Sequence, residues 1–169
     1  MPHSRSIPAA CGLLAVAFLA PVLPSHAATI TVPSDYPTMQ KALDAAASGD
    51  TVLVLPGTYA GDGNRDLDFQ GKDVVLRSRD GANVTTVEIG GSPFPLEEHR
   101  AVLFDEGETS AAVVEGFTFT GGLAFDDGAV IGILGASPTI RGCVLHDNTN
   151  SMVVVIDGDP TMPRTAKER

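Results

Sequence analysis

The sequence predicts an all-β solenoid, a chain that winds into stacked parallel coils, and two internal recurrences predict it. The segment Ile131–Ile140 (IGILGASPTI) nearly returns, in register, as Val153–Met162 (VVVIDGDPTM). The segment Val114–Thr120 (VEGFTFT) returns in the same way as Ile140–His146 (IRGCVLH). A period in the twenties is typical of a solenoid, in which each repeat buries its apolar face only by stacking on a neighbour. Because the unit is β-rich and punctuated by turns, we expect a β-helix coil.

The start of the chain, 1–27, has the pattern of a secretory signal peptide. Ala9–Leu23 is an apolar stretch, and Ser25 and Ala27 place small residues at the two positions that a signal peptidase reads. The apolar stretch is shorter than the roughly 20 residues needed to span a bilayer. We therefore predict cleavage after Ala27, secretion, and no membrane span in the processed chain.

The processed chain, 28–169, is long enough for one domain. It contains all 21 acidic residues and all but one of the 11 lysines and arginines. This strongly negative charge excludes nucleic acids and anionic membranes as partners. It also disfavours polyanionic substrates such as polyuronates, unless a bound cation bridges the like charges. Cys143 is the single cysteine after Ala27, so no disulfide can form within the processed chain.

A helix is predicted over Pro37–Ala47, near the start of the domain. Pro37 suits a first-turn position, and Met39, Leu43 and Ala46 recur at helical spacing. Ser48–Asp50 (SGD) contains the glycine expected at the end of a helix.

Short apolar runs predict strands on both sides of this helix. Thr51–Leu55 is a nearly continuous apolar run, which predicts a strand buried on both faces. Pro56–Tyr59 (PGTY) is predicted to be a turn. Polar, glycine-containing segments at 60–64 and 90–98 separate the other early strands, which are Ala28–Val32, Val74–Leu76, Val84–Ile89 and Ala101–Phe104.

Each clear repeat has an apolar residue, a charged residue and glycine, followed by apolar residues at alternate positions. This pattern predicts strand, bend and strand, with equivalent residues of successive coils about 4.8 Å apart. Glu115 then pairs with Arg141 on the surface, and Cys143 packs as a core residue beside Phe117. The residues expected to point inward are Val52, Val54, Val74, Leu76, Val114, Phe117, Phe119, Ile131, Ile133, Ile140, Cys143, Leu145, Val153 and Val155.

Two stretches resemble the secreted bacterial right-handed parallel β-helix proteins of the pectin-lyase-like superfamily. Asp35–Ala46 followed by Gly49–Tyr59 is similar to the N-terminal cap helix and first strand of that superfamily, and Gly135–Cys143 with Asn148 is similar to its coil repeat. The segment from His99 to Gly122 is also similar to a coil of such proteins. The resemblance implies a right-handed β-helix of about five coils over 28–162, with a cap helix near 37–47.

The superfamily includes lyases, hydrolases, esterases, epimerases and non-enzymatic surface proteins, so the resemblance alone names no activity. The chain has no tryptophan and so lacks the Arg-Pro-Trp segment of pectin methylesterases. Hydrolysis of polygalacturonase type needs two carboxylates across the scissile bond. Adjacent residues of a strand point to opposite faces, which argues against the acid pairs Glu97–Glu98, Asp105–Glu106 and Asp126–Asp127. We assign no catalytic residue.

No cofactor or metal site is assigned from the sequence. Asp62, Asp66, Asp68 and Asp73 could hold calcium through oxygen ligands, although their spacing differs from an EF-hand loop and Arg65 and Lys72 could neutralise them. His99 and His146 have no second zinc ligand near them in sequence. Tyr36 and Tyr59 are expected to pack at the cap, and Asn148 to stack in an amide ladder between coils.

Two functions remain open at this point. The first is a secreted, non-catalytic module, extracellular, on the cell surface or in the periplasm, that serves as a scaffold or as a carbohydrate-contacting domain. The alternative is the N-terminal part of a polysaccharide lyase or glycoside hydrolase whose catalytic coils are missing. The repeat is abandoned at Pro163, which predicts a fragment with a frayed polar tail over 163–169 and self-association through its last coil.

Overall fold

The computed structural model describes residues 26–90, 92–93, 96–123, 130–149 and 153–156, with the side chains of 92–93, 96–97 and 154–156 left aside. Within these ranges the chain is mostly β-structure with one α-helix. Its strands form three parallel sheets of five, four and four strands and one two-stranded antiparallel pair. This arrangement is compatible with a parallel β-solenoid.

The chain visits the three parallel sheets in turn. Sheet 1 contains β1 (Thr29–Val32), β2 (Thr51–Val54), β5 (Val75–Ser78), β10 (Val113–Glu115) and β13 (Thr139–Arg141). Sheet 2 contains β3 (Gly57–Ala60), β6 (Thr85–Glu88), β11 (Thr118–Thr120) and β14 (Val144–His146). Sheet 3 contains β4 (Leu67–Asp68), β9 (Val102–Phe104), β12 (Ile131–Leu134) and β15 (Val153–Ile156). The antiparallel pair is β7 (Ser92–Pro93) with β8 (Leu96–Glu97).

The register between neighbouring strands is the one that the recurrences predict. Ile131 pairs with Val153 between β12 and β15. Val114 pairs with Ile140, and Phe119 pairs with Leu145, in two other sheets. All of these pairings are parallel, so the predicted stacking of equivalent residues is confirmed.

The bend between sheets 1 and 2 is also repeated in register. Gly116 and Gly142 follow Glu115 and Arg141, and both glycines have positive φ, at 78° and 61°. Glycine adopts this backbone conformation without the steric penalty that a Cβ atom would bring. The charged residue and glycine of the repeat therefore mark the same bend in successive strand pairs.

The apolar core lies between the three parallel sheets and under the helix. Of the fourteen residues predicted to point inward, twelve are buried: Val52, Val54, Val74, Leu76, Val114, Phe117, Phe119, Ile131, Ile133, Ile140, Cys143 and Leu145. Val153 is half-buried and packs against this core. The side chain of Val155 lies outside the described part of the structure.

The helix of the described ranges, α1, spans Met39–Ala45 and is shorter than the predicted Pro37–Ala47. Thr38 is its N-cap and accepts a hydrogen bond from the backbone N–H of Lys41 at 3.4 Å. Pro37 therefore precedes the cap, and its predicted first-turn position was wrong. Met39, Ala42 and Leu43 are buried where α1 packs against β1, β2 and β4, which closes one end of the core.

Two predictions about the residues after the helix were wrong. Thr51 and Leu53 are half-buried while Val52 and Val54 are fully buried, so β2 has one inner and one outer face. Pro56–Tyr59 is not a simple turn, because Gly57–Ala60 forms β3 and pairs with Thr85–Glu88. Backbone pairing with a strand that comes much later in the sequence decides this conformation, and local turn propensity does not.

Several predictions fall on residues that the structure does not describe. These are the leader up to residue 25, the tail at 163–169 and the part of the Val153–Met162 repeat that follows residue 156. In the described ranges, no helix is both long and apolar enough to cross a membrane.

Candidate functional site

An open polar groove of about 490 Å³ lies where α1 meets the loop that leads into β4. Its lining combines carboxylates, amides and one guanidinium group. We call it the acidic groove, and its lining residues are Gln40, Asp44, Asp62, Gly63, Arg65, Asp66, Asp68 and Gln70. Three of the four aspartates that the sequence suggested as calcium ligands therefore come together here, and Asp73 does not line it.

Gln40 joins the helix to the strand side of the acidic groove. Its Nε2 donates to the backbone carbonyl of Asp68 at 3.0 Å, and its Oε1 accepts from the N–H of Asp68 at 2.9 Å. The side-chain amide thus pairs with the edge of β4 as a neighbouring strand would. This pairing fixes the distance between the two walls of the groove.

Asp44 accepts hydrogen bonds from two amides of the acidic groove. Its Oδ1 lies 2.9 Å from Nε2 of Gln40 and 3.0 Å from Nε2 of Gln70. Gln70 in turn has positive φ (55°), and its backbone N–H donates to Asp68 Oδ1 at 2.7 Å. The three side chains therefore form one connected network on the surface.

Arg65 crosses the opposite side of the acidic groove. Its Nη2 lies 3.0 Å from Asp62 Oδ1, and its Nη1 donates to the carbonyl of Ile89 at 3.1 Å. Its Nε is buried and has no hydrogen-bond partner among the described residues. The guanidinium group is held against sheet 2 while Asp62 remains almost fully exposed, at 96%.

Asp66 is held by the segment before β9. Its Oδ2 lies 2.7 Å from Nδ1 of His99, and its Oδ1 accepts from the N–H of Arg100 at 2.9 Å. Asp66 itself has positive φ (50°), a conformation that aspartate tolerates better than most residues. His99 therefore has an aspartate partner 33 positions away, which no local sequence pattern could indicate.

Each of the four aspartates suggested as calcium ligands is already bonded to a protein donor. Asp73 accepts from the N–H and the hydroxyl of Thr109 at 2.9 and 2.8 Å. Asp62, Asp66 and Asp68 have the donors given above. In the described ranges, no group of three or more His, Cys, Asp or Glu side chains has the geometry to hold a metal ion.

The described members of the other acid pairs considered from the sequence are exposed, and each of the two histidines has an aspartate partner. Asp105, Glu106 and Glu98 are exposed, the side chain of Glu97 is not among those described, and Asp126–Asp127 lie outside the described ranges. His146 lies 2.8 Å from the adjacent Asp147. Tyr59 is buried and donates to the carbonyl of Leu55 at 2.8 Å, whereas Tyr36 is 36% exposed.

Cys143 and the Glu115–Arg141 pair behave as structural residues. Cys143 is 6% exposed, and burial raises the pKa of its thiol, which disfavours the nucleophilic thiolate. Arg141 Nη2 lies 2.9 Å from Glu115 Oε2, as the register predicts.

The amide ladder predicted for Asn148 was wrong. The stacked position one repeat earlier is Gly122, whose N–H donates to Asn148 Oδ1 at 2.8 Å. Nδ2 of Asn148 donates to the carbonyl of Phe119 at 3.1 Å. Because position 122 has no side chain, the Asn148 amide bonds the backbone of the neighbouring strand.

The structural roles of two buried carboxylates were not predicted from the sequence. Glu108 is 1% exposed and accepts from the N–H groups of Gly71 and Glu106. Asp50 is 8% exposed and accepts from the N–H groups of Ala28 and Ala47. The sequence around Glu108 carries no signal for its burial, and for Asp50 the only signal is its place directly after Gly49, the glycine predicted to end the helix.

The acidic groove has the chemistry to bind a hydroxyl-rich ligand. Amides, carboxylates and a guanidinium group can together donate to and accept from several hydroxyl groups, and a few placed polar groups are what orient a small ligand. Among the described residues that line the groove there is no serine, threonine, cysteine or lysine to act as a nucleophile. Comparison with protein-family models, with curated proteins and with solved structures finds no match to this chain.

Proposed function

We propose that this chain is a secreted, non-catalytic parallel β-helix module that serves as an extracellular or cell-surface scaffold and contacts carbohydrate through the acidic groove. The observation that carries the proposal is the acidic groove itself, in which the lining carboxylates are engaged by protein donors instead of being left free for acid–base chemistry. Secretion rests on the leader pattern of 1–27.

We also propose the hand of the β-helix and its number of coils. We take the coil to be right-handed, since a parallel crossover connection is right-handed in nearly all known cases. The five strands of sheet 1 and the cap formed by α1 support a β-helix of about five coils, like that of the pectin-lyase-like superfamily. Association of two copies through the last coil belongs to the same proposal.

The net charge of −10 favours neutral polysaccharides over polyuronates as ligands. The processed chain should be screened against neutral glucans and galactans, and against pectate and alginate with and without calcium, by affinity electrophoresis or calorimetry. We expect binding to a neutral glycan, and binding to a polyuronate only when calcium is present.

Groove variants make this screen specific. Gln70→Ala and Asp44→Ala remove two members of the polar network and should weaken glycan binding about tenfold, the loss expected for one or two hydrogen bonds. Glu88→Gln, an exposed acid on sheet 2 outside the groove, is the matched control and should bind normally. Equal binding by all four proteins would argue against the acidic groove as the site.

The alternative, an N-terminal part of a polysaccharide lyase or hydrolase, makes a different prediction in the same assay. Reproducible depolymerisation that a single acid substitution abolishes would favour the enzyme and refute the scaffold.

A further inference from the structure

Asp50 lies between α1 and β2 and bonds the very first strand of the domain. Its Oδ1 accepts from the backbone nitrogen of Ala28 at 2.8 Å, and its Oδ2 accepts from the nitrogen of Ala47 at 2.9 Å. The N–H of Thr51 donates to the carbonyl of Ala28 at 2.8 Å. Ala28 is therefore held on both its nitrogen and its oxygen, directly before the parallel pairing of β1 with β2.

Backbone donors favour the charged form of the Asp50 carboxylate, and no cation of the described ranges forms an ion pair with it. The hydrogen bonds from Ala47 and Ala28 lower the pKa of Asp50, and burial opposes them. Among the described residues, no lysine, arginine or histidine forms an ion pair with it. Two neighbouring charged side chains have other partners: the Asp73 carboxylate bonds Thr109, and the Lys72 ammonium group donates to the carbonyls of Leu43 and Asp44.

The Ala28 nitrogen that bonds Asp50 is also the atom that the predicted leader cleavage would release. In hydrolysis by a signal peptidase, water adds its hydroxyl group to the carbonyl carbon of Ala27 and its proton to the nitrogen of Ala28. The nitrogen then takes up a further proton from solvent, because an α-amino group has a pKa of about 7.7 to 8.0. A neutral amide donor thus becomes a cation.

We propose that removal of 1–27 places the new α-ammonium group of Ala28 on the carboxylate of Asp50, and that this ion pair makes the processed chain more stable than its precursor. The inference rests on the proposed secretion. The donor is already positioned at 2.8 Å in the uncleaved chain, so cleavage adds charge to an existing hydrogen bond and requires no rearrangement of the carboxylate. A charge-assisted hydrogen bond is roughly twice as strong as a neutral one.

The ion pair links the two elements that close this end of the core. Asp50 bonds the residue that follows α1 and the residue that precedes β1, so its charge acts on the cap and on the first parallel pair together. In the precursor, Asp50 accepts only a neutral hydrogen bond from the Ala28 amide. The precursor is therefore expected to unfold more readily than the processed chain.

The stability that the ion pair adds depends on pH through the Ala28 α-ammonium group and the Asp50 carboxylate. Pairing raises the pKa of the ammonium group above its ordinary value, so the added stability is complete below that ordinary value and is lost as the pH rises through the raised pKa. On the acid side it is lost as the pH falls through the lowered pKa of Asp50. In the precursor, the Ala28 amide does not titrate, so its hydrogen bond to Asp50 loses no stability as the pH rises.

The test uses the secreted, processed chain, whose N-terminal residue is first identified by mass spectrometry. Its unfolded form is then either acetylated or reductively dimethylated at the α-amino group near neutral pH, where this group reacts in preference to lysines of pKa about 10.4. Acetylation removes the charge and dimethylation keeps it. Urea unfolding of the unmodified and both modified chains is measured at pH 6 and at pH 10.5, for the natural chain and for Asp50→Asn.

At pH 6 we expect acetylation to increase the unfolding equilibrium constant about three- to tenfold, one pKa unit corresponding to a factor of ten. Dimethylation should change it less, and the difference between acetylated and unmodified chains should vanish at pH 10.5 and in Asp50→Asn. If that variant does not fold, an NMR titration of the ¹³C-dimethylated amine in the natural chain gives the decisive pKa, which should be higher in the folded than in the unfolded protein.

The possible outcomes distinguish a failure of the ion pair from a failure of the proposed secretion. Cleavage after Ala27 without a charge-dependent difference would overturn the ion pair and leave secretion intact. Cleavage at another bond would also overturn the ion pair. An uncleaved chain that stays inside the cell would overturn both.

Discussion

Glu108 accepts a hydrogen bond from the backbone N–H of Gly71 across 37 positions of sequence, with Oε1 3.0 Å from the nitrogen. Its Oε2 accepts from the N–H of Glu106 at 3.2 Å, and the residue is 1% exposed. One buried carboxylate therefore ties the turn after β4 to the loop after β9. Removing it would leave two backbone donors without their acceptor, at contacts that are partly buried.

We expect Glu108→Ala to lower the free energy of unfolding by about 1 to 3 kcal/mol, since a hydrogen bond to a charged group contributes about 1.5 to 3 kcal/mol and water can partly replace the acceptor at these partly buried donors. Glu108→Gln retains one acceptor oxygen and should cost less. Urea denaturation of both variants measures this, with the exposed Asp105→Ala as the control. An Ala variant as stable as the control would contradict the anchoring role.

Phe119 lies in the middle of the sheet 2 stack. It is 1% exposed and pairs in register with Val87 on one side and Leu145 on the other. Phe119→Ala should cost about 3 to 5 kcal/mol, because it removes a large buried side chain and leaves a cavity. Val144→Ala, in the neighbouring strand but 40% exposed, should stay within about 0.5 kcal/mol. Thermal and urea unfolding compare the two.

The Glu115–Arg141 pair should contribute little to stability despite its 2.9 Å contact, because the two side chains are 32% and 51% exposed. A double-mutant cycle with alanine at each position should give a coupling of about 0.2 to 1 kcal/mol. The coupling should fall further in 1 M salt, where the screening length is about 3 Å. A coupling above about 2 kcal/mol would mean that the pair is a principal determinant of register.

Asp50 should make stability depend on pH on the acid side. Its pKa lies below 3.8 because the N–H groups of Ala47 and Ala28 bond the carboxylate. A lowered pKa contributes stability above the ordinary value and loses it as the pH falls through the folded-state value. The natural chain should therefore be more stable than Asp50→Asn at pH 6, and the difference should shrink below about pH 4.

The control for this measurement is Asp80→Asn, an acid that pairs with Arg79 on the surface. The effect of Asp80→Asn over the same pH range gives the reference for a surface acid against which the Asp50→Asn difference is judged. A constant difference between the natural chain and Asp50→Asn from pH 6 to pH 2.5 would contradict the role assigned to the Asp50 charge.

Cys143 should resist alkylation in the folded protein. Its thiol is buried, and that burial raises its pKa above 9.0, so thiolate is scarce near neutral pH. In the full chain carrying Cys11→Ser, iodoacetamide labelling at pH 8 should be at least a hundredfold slower in buffer than in 6 M urea, since folding holds the unfolded fraction to about 10⁻³ or less. Comparable rates in the two conditions would show that this part of the core opens freely.

The sequence alone determined the stacking of the later strands. Strand side chains alternate between two faces, and parallel strands place equivalent residues side by side. A repeat such as Val114–Thr120 with Ile140–His146 therefore contains its own register, including the Glu115–Arg141 contact and the burial of Cys143. The presence of the helix could also be predicted, because the spacing of apolar residues is a local property, but its first and last residues could not.

Only the tertiary structure decided the acidic groove and the buried acids. Gln40 meets Asp68, Asp66 meets His99, and Glu108 meets Gly71 across 28, 33 and 37 positions. No repeat relates these partners, and each turn between strands has its own length. Likewise, β3 and the very short β4 exist because later strands pair with them. Periodic packing can be read from a sequence because it repeats, whereas single polar contacts between loops depend on how the whole chain closes.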